Sequence, residues 1–167
     1  MGGTVSAGGR ANSRFAWQAC AAHRAYGSTS VPGLAAKPII DMVLAVRDSA
    51  AEGDYRAALN EAGYLLRIRE PAWYEHRMLK GPDTDINLHV FSADCVEIDR
   101  ILLFRDWLRR NAADRDLYAR TKRALAQRQW KSVDDYASAK TAVIEEILGR
   151  ARLQSRGERF AETDPLR

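Results

Sequence analysis

Residues 74–91, YEHRMLKGPDTDINLHVF, carry two alternating apolar–polar segments on either side of GPDT, a run of turn-forming residues. The pattern predicts a β-hairpin, and the two-residue period of a strand then sorts its side chains onto two faces. Glu75, Arg77 and Leu79 share one face with Ile86, Leu88 and Val90. Tyr74, His76, Met78, Asn87, His89 and Phe91 share the other. With residues 81–84 as a four-residue loop, Lys80 opposes Asp85, and counting back sets His76 directly across from His89. Two imidazoles on one sheet face make this the leading site candidate.

The rest of the chain fits around that hairpin. PIIDMVLAV, from Pro38, is a short apolar run rich in branched residues, a buried strand. Asp41 falls on the face opposite Ile40, Met42, Leu44 and Val46, and a carboxylate in the middle of a strand needs partners. Ser49 with Glu52 reads as a capping box opening a helix that ends at Gly63. YLLRIRE is a further strand, closed by Pro71. Helical periodicity then runs through EIDRILLFRDWLRRN, DRDLYARTKRALAQRQ and SVDDYASAKTAVIEEILGRARL, the last opened by Ser132 and Asp135. No strand–helix unit repeats. The expected fold class is α+β, a small mixed sheet followed by a C-terminal helical layer.

A chain of 167 residues is long enough to bury one core without staples. The net charge of +4 suggests nucleic acid only until it is located. Arg10, Arg14, Arg24 and Lys37 precede Asp41 with no acid among them, and the remainder holds 22 basic and 22 acidic residues. A charge-based case for binding DNA or RNA therefore fails. No apolar run approaches the roughly 18 residues of a membrane span. Cys20 and Cys95 lie in no CxxC motif and suit a reducing compartment, so the expected location is cytoplasmic. Residues 1–25 are rich in Gly, Ala, Ser and Arg. They have a transit-like composition, MGGTVS fits a myristoylation pattern, and a poorly specified leader explains them as well. The expected organisation is this leader, one domain over 26–153, and a polar tail over 154–167.

GSTSVPGLAAKPIID, EHRMLK, NLHVF, RILLFRDWLR, YARTKRAL and YASAKTAVI occur in the order in which the GrpB family carries them, and residues 27–150 resemble that family. GrpB domains are also met fused to some actinobacterial dephospho-CoA kinases. The resemblance implies a nucleotidyltransferase-like fold, the architecture of the polymerase-β superfamily, and for the fused domain a role in helping its partner fold. Ala25, in HRAYGS, stands where family members place a histidine before the Gly-Ser pair.

Within that superfamily the pattern is Gly-Gly or Gly-Ser, a spacer, then two carboxylates one residue apart on a strand. Gly27, Ser28 and Asp41 match its start. Gly-Ser lets backbone amides approach phosphate oxygens, and paired carboxylates share Mg²⁺. Val43 occupies the second carboxylate position, which argues against two-metal nucleotidyl transfer. A plain turn accounts for GSTSVPG equally well, with Gly27 and Gly33 supplying permissive φ. A second chemistry is a metal site of Asp41, His76 and His89, since imidazole and carboxylate suit a divalent ion; hydrogen bonding within the sheet face is the plainer role for both histidines. Tyr118/Lys122 and Tyr136/Lys140 stand four apart on helices, at the spacing of stacked ring–ammonium pairs. Arg105 and Asp106 read as an ion pair.

The expectation is thus a domain with a cleft for a nucleotide or another phosphorylated small molecule. Asp41 is the candidate catalytic residue. Gly27, Ser28, Lys37, His76, Arg77, His89, Arg105, Lys122 and Lys140 are candidate ligand contacts, and a divalent metal is the candidate cofactor. The alternatives are a folding-accessory or protein-interaction module, and a metal-dependent phosphotransfer or hydrolytic enzyme.

Overall fold

The computed structural model of the chain describes residues 23–82 and 85–162, so the expectations for residues 1–22 fall outside the described residues. It divides into two compact units, one of residues 23–27 and 37–98, the other of residues 28–36 and 99–162.

The first unit is a five-stranded sheet. Its strands are β1 (His23–Ala25), β2 (Ile40–Val46), β3 (Leu65–Glu70), β4 (His76–Lys80) and β5 (Ile86–Ser92), in the spatial order β1-β2-β5-β4-β3. Only the central β2–β5 pair is parallel, and the connection between these two strands contains α1 (Arg56–Glu61), β3 and β4. One sheet face packs Leu44, Val46, Leu79, Leu88 and Val90 against Tyr55, Leu59 and Tyr64 of the α1 segment. Leu44, Leu79 and Leu88 have no exposed surface, and each such burial contributes about 1.5–3 kcal/mol. Val43 and Phe91 are also buried, although they alternate onto the opposite face; central parallel strands are apolar on both sides.

The hairpin register differs from the expected one. Gly81 N–H donates to the Ile86 carbonyl (2.9 Å), and Lys80 pairs with Asn87, Met78 with His89 and Arg77 with Val90. The hairpin thus pairs Lys80 with Asn87 rather than with Asp85, which slides the register by two. An even slip preserves which face every side chain takes. His76 and His89 consequently share a face as diagonal neighbours rather than a directly opposed pair.

The Ser49/Glu52 capping box does not form. Ser49 hydroxyl instead meets Ser92 Oγ (3.1 Å), Glu52 opens a short 3₁₀ turn (Glu52–Asp54), and the α-helix starts only at Arg56. Gly63, with φ of +85°, follows the helix end as expected.

The second unit contains α2 (Val96–Arg110, whose first turn belongs to the sheet unit), α3 (Ala112–Ala126), α4 (Val133–Ala139) and α5 (Thr141–Glu162). Its core gathers Trp107, Leu108, Tyr118, Val143, Ile147 and Ala151 around Val31 and Leu34 of the 28–36 loop. Asn111 caps α3 by accepting from Asp114 N–H, and Ser132 caps α4 by accepting from Asp135 N–H. The single helix expected from Ser132 onward is broken at Lys140 into α4 and α5. None of the described helices is long and apolar enough to cross a membrane.

Candidate functional site

Parity of the strands places Asp41, Val43, Asn87, His89, Phe91, Met78 and His76 on one face of the sheet. On that face the polar side chains form a continuous run. Glu70 Oε2 lies 2.7 Å from His76 Nδ1, His76 Nε2 lies 2.9 Å from His89 Nδ1, and His89 Nε2 faces Asp41 Oδ1 at 3.7 Å. Beyond Asp41, Asn87 Nδ2 donates to the same Oδ1 (3.0 Å), and Asn87 Oδ1 accepts from Lys80, whose ammonium also pairs with Asp85. Glu70 enters because β3 and β4 are antiparallel with Glu70 opposite His76.

The two ends of the imidazole pair differ in environment. His76 is 2 % exposed, stacked between His89 and Phe91 and covered edge-on by Trp73 at 4.9 Å. Burial pushes the His76 imidazole below its usual pKa, and its contact with Glu70 only partly opposes the shift. The outer members are open, the side chain of His89 being 20 % exposed and that of Asp41 31 %. Tyr26 sits edge-on to His89 at 5.5 Å, and burial, with the Asp41 and Glu97 charges, raises its hydroxyl far above the usual range.

Gly27 borders this face, against Asp41. It lies outside the left-handed region that Gly33 adopts (φ +79°), and a Cβ at Gly27 would collide with Oδ2 of Asp41. Glycine is required here because the Asp41 carboxylate lies against the backbone.

The expected three-ligand metal site is not built. Both ring nitrogens of His76 face Glu70 and His89, so the imidazoles bond each other instead of converging with Asp41 on one point. Among the described residues no group of three or more His, Cys, Asp or Glu is arranged to hold a metal ion. Arg77 lies on the opposite face of the sheet, 5 % exposed, with Nε on Glu52 (2.7 Å) and a terminal nitrogen on Glu75 (3.1 Å). Lys37 is exposed on the approach to β2.

The remaining predicted contacts belong to the helical unit. Lys122 donates to Ser28 Oγ (2.9 Å) and the Ala35 carbonyl (3.0 Å), with its ammonium 5.7 Å from the Tyr118 ring. Arg109 grips the Ser30 carbonyl with two N–H groups. Arg105 is buried against Asp106 in a two-point pair, and that guanidinium lowers the Asp106 pKa. The Lys140 ammonium stands 4.5 Å from the Tyr136 ring.

Sequence reasoning missed Glu70, Trp73 and Tyr26. A carboxylate before Pro71 gives no local signal of its histidine partner. Trp73 reaches the site through a turn in which Tyr74 and Glu75 both have positive φ.

Known proteins resemble the chain as follows. The family model described as GrpB protein matches residues 10–150. A UPF0157 protein of Halalkalibacterium halodurans is 64 % identical over 125 residues, covering 75 % of this chain and 64 % of that protein. A UPF0157 protein of Streptomyces coelicolor is 50 % identical over 125 residues, covering 75 % and 66 %. The chain thus spans just under two thirds of the length of each. The crystal structure of the conserved protein GrpB from Enterococcus faecalis superposes with a TM-score of 0.70 at 32 % identity, covering 87 % of this chain and 88 % of that one. The five-stranded mixed sheet with its helices is the α+β, nucleotidyltransferase-like class. On the extent of the family match and the identity of these relatives, the chain belongs to the GrpB family.

Proposed function

We propose that the chain binds a small phosphorylated molecule, a nucleotide being the leading candidate, on the sheet face that carries Asp41 and His89. One observation carries the reading: within the Glu70–His76–His89–Asp41 run His76 is buried and held at both ring nitrogens, while His89 and Asp41 are open to solvent. Polar groups held in place by packing and by partners behind them are what a binding site for a polar ligand needs. The choice of a phosphorylated ligand leans on fold-level analogy to nucleotidyltransferases. Binding is favoured over transfer because Val43, 2 % exposed, holds the position where the two-metal pattern needs its second carboxylate.

The test is a thermal-shift screen of nucleoside mono-, di- and triphosphates and CoA precursors, with and without divalent ions. A ligand at about 100 times its Kd stabilises the folded chain by about 2.7 kcal/mol, and the response should shrink in Asp41→Asn. A flat screen at millimolar concentrations would overturn the reading. It would leave the protein-interaction alternative, which one observation favours: Leu65, Ile68, Trp73 and Tyr74 are exposed along edge strand β3 and the turn that follows it.

A further inference from the structure

Strand β3 ends the sheet, and its outer edge has no partner strand among the described residues. A bare edge offers a row of backbone N–H and C=O groups to another chain. Pairing with β4 sorts the side chains of this edge onto two sides. Leu65 stands opposite Lys80 and Ile68 opposite Met78, on the face that carries His89, while Leu66 and Arg69 stand opposite Leu79 and Arg77 on the other. The first side is apolar and open: Leu65 is 54 % and Ile68 41 % exposed, and the exposed rings of Trp73 and Tyr74 follow in the next turn. The second side is basic. Arg56, Arg69 and Arg77 all draw on the single carboxylate of Glu52, with Glu75 also serving Arg77. Arg67, the extra residue of the bulge between Leu66 and Ile68, is exposed and has no ion-pair partner among the described residues.

We infer that the free edge of β3 takes an extended acidic peptide as an added strand, its apolar side chains on Leu65 and Ile68 and its alternate carboxylates within reach of Arg69 and the bulged Arg67. Strand addition supplies main-chain hydrogen bonds, and the side chains flanking the edge select the partner. The selection is by alternation, because a strand presents successive side chains to opposite faces. A second copy fits poorly. Two β3 edges side by side would gather Arg67 and Arg69 of both chains, and like charges across a strand pair are destabilising. A bulge and charged side chains are the devices that guard an edge against its own kind. An acidic strand turns the same arginines into an attraction. The site stands apart from the ligand proposed for Asp41 and His89.

The experiment uses the whole chain and a fluorescein-labelled octapeptide of alternating valine and glutamate, read by fluorescence anisotropy and by amide exchange. The peptide is expected to bind and to slow exchange of the Leu65–Glu70 amides that face away from β4. An octapeptide of alternating valine and lysine should bind about 10-fold more weakly, and Arg67→Glu should weaken the acidic peptide by about the same factor. Ile68→Asp should weaken both peptides, and N-methylation of every peptide amide should abolish binding. The comparison of the two peptides on the unaltered chain keeps the test decisive even if a variant fails to fold. No binding at millimolar peptide, equal affinity for the two charge types, or slowed exchange anywhere but β3 would overturn the inference. So would outward-facing β3 amides already protected in the free chain, which would put a second copy or another segment of this chain on the edge.

Discussion

Glu52 is the residue whose removal should cost the sheet unit most for its size. Its carboxylate accepts from Arg77 Nε (2.7 Å), from Arg69 Nε and a terminal nitrogen (2.6 and 2.9 Å), and from Arg56 (3.3 Å). Arg69 and Arg56 are half exposed, so each contributes at most about 0.5 kcal/mol. Arg77 is different: its side chain is 7 % exposed, and Glu75 is its other carboxylate partner. Glu52→Ala strands much of that charge in a dry position, at a cost of about 2–3 kcal/mol. The total, about 3 kcal/mol, corresponds to a fall in Tm of about 6–12 °C for a chain of this size. Urea and thermal unfolding followed by circular dichroism would measure it. Glu52→Gln, which keeps an acceptor, should lose about half as much. The pH dependence supplies an independent check. The Arg69 hydrogen bond above all, aided by Arg77, lowers the Glu52 pKa to about 2, against about 4.3 in an unfolded chain. Its contribution is therefore complete above pH ~4.3 and lost as pH falls toward ~2, so wild type and Glu52→Gln should converge in stability across that window. A Glu52→Ala chain within about 0.5 kcal/mol of wild type would refute the reasoning, as would a stability gap that persists at pH 2.

Further outcomes follow from other contacts. Gly27→Ala drives a methyl group into the Asp41 carboxylate and should destabilise by about 1–3 kcal/mol while weakening any nucleotide response, read by thermal shift. Asp114 accepts from the buried Trp107 indole (2.6 Å) and from two nitrogens of Arg150, whose guanidinium lowers its pKa; Asp114→Ala should cost about 2–3 kcal/mol and shift the tryptophan emission. Lys122→Met removes the donor to Ser28 and Ala35 and should speed amide exchange across residues 28–36 with little effect on the sheet.

What the sequence disclosed was parity and period. His76, His89, Asn87 and Asp41 were legible as one face because alternation survives an even register slip, and the slip itself was invisible because GPDT accommodates a turn tip at either position. The Ser-x-x-Glu pattern at 49–52 was a local signal overruled at long range: Ser92 takes the serine, while Arg69 and Arg77 take the glutamate. The break at Lys140 carries neither Gly nor Pro to announce it. Glu70 was hidden for the same reason that His76 was overvalued as a metal ligand. Which partner an imidazole takes depends on strand pairing, and the β3–β4 register lies beyond local pattern.

The most direct measurement is long-range ¹H–¹⁵N correlation of the histidine rings at neutral pH. His76, buried on the site face, is expected to be neutral there and to titrate below the usual imidazole range. A His76 still charged at neutral pH, or titrating at or above the usual imidazole range, would contradict a buried, packed inner histidine on this face.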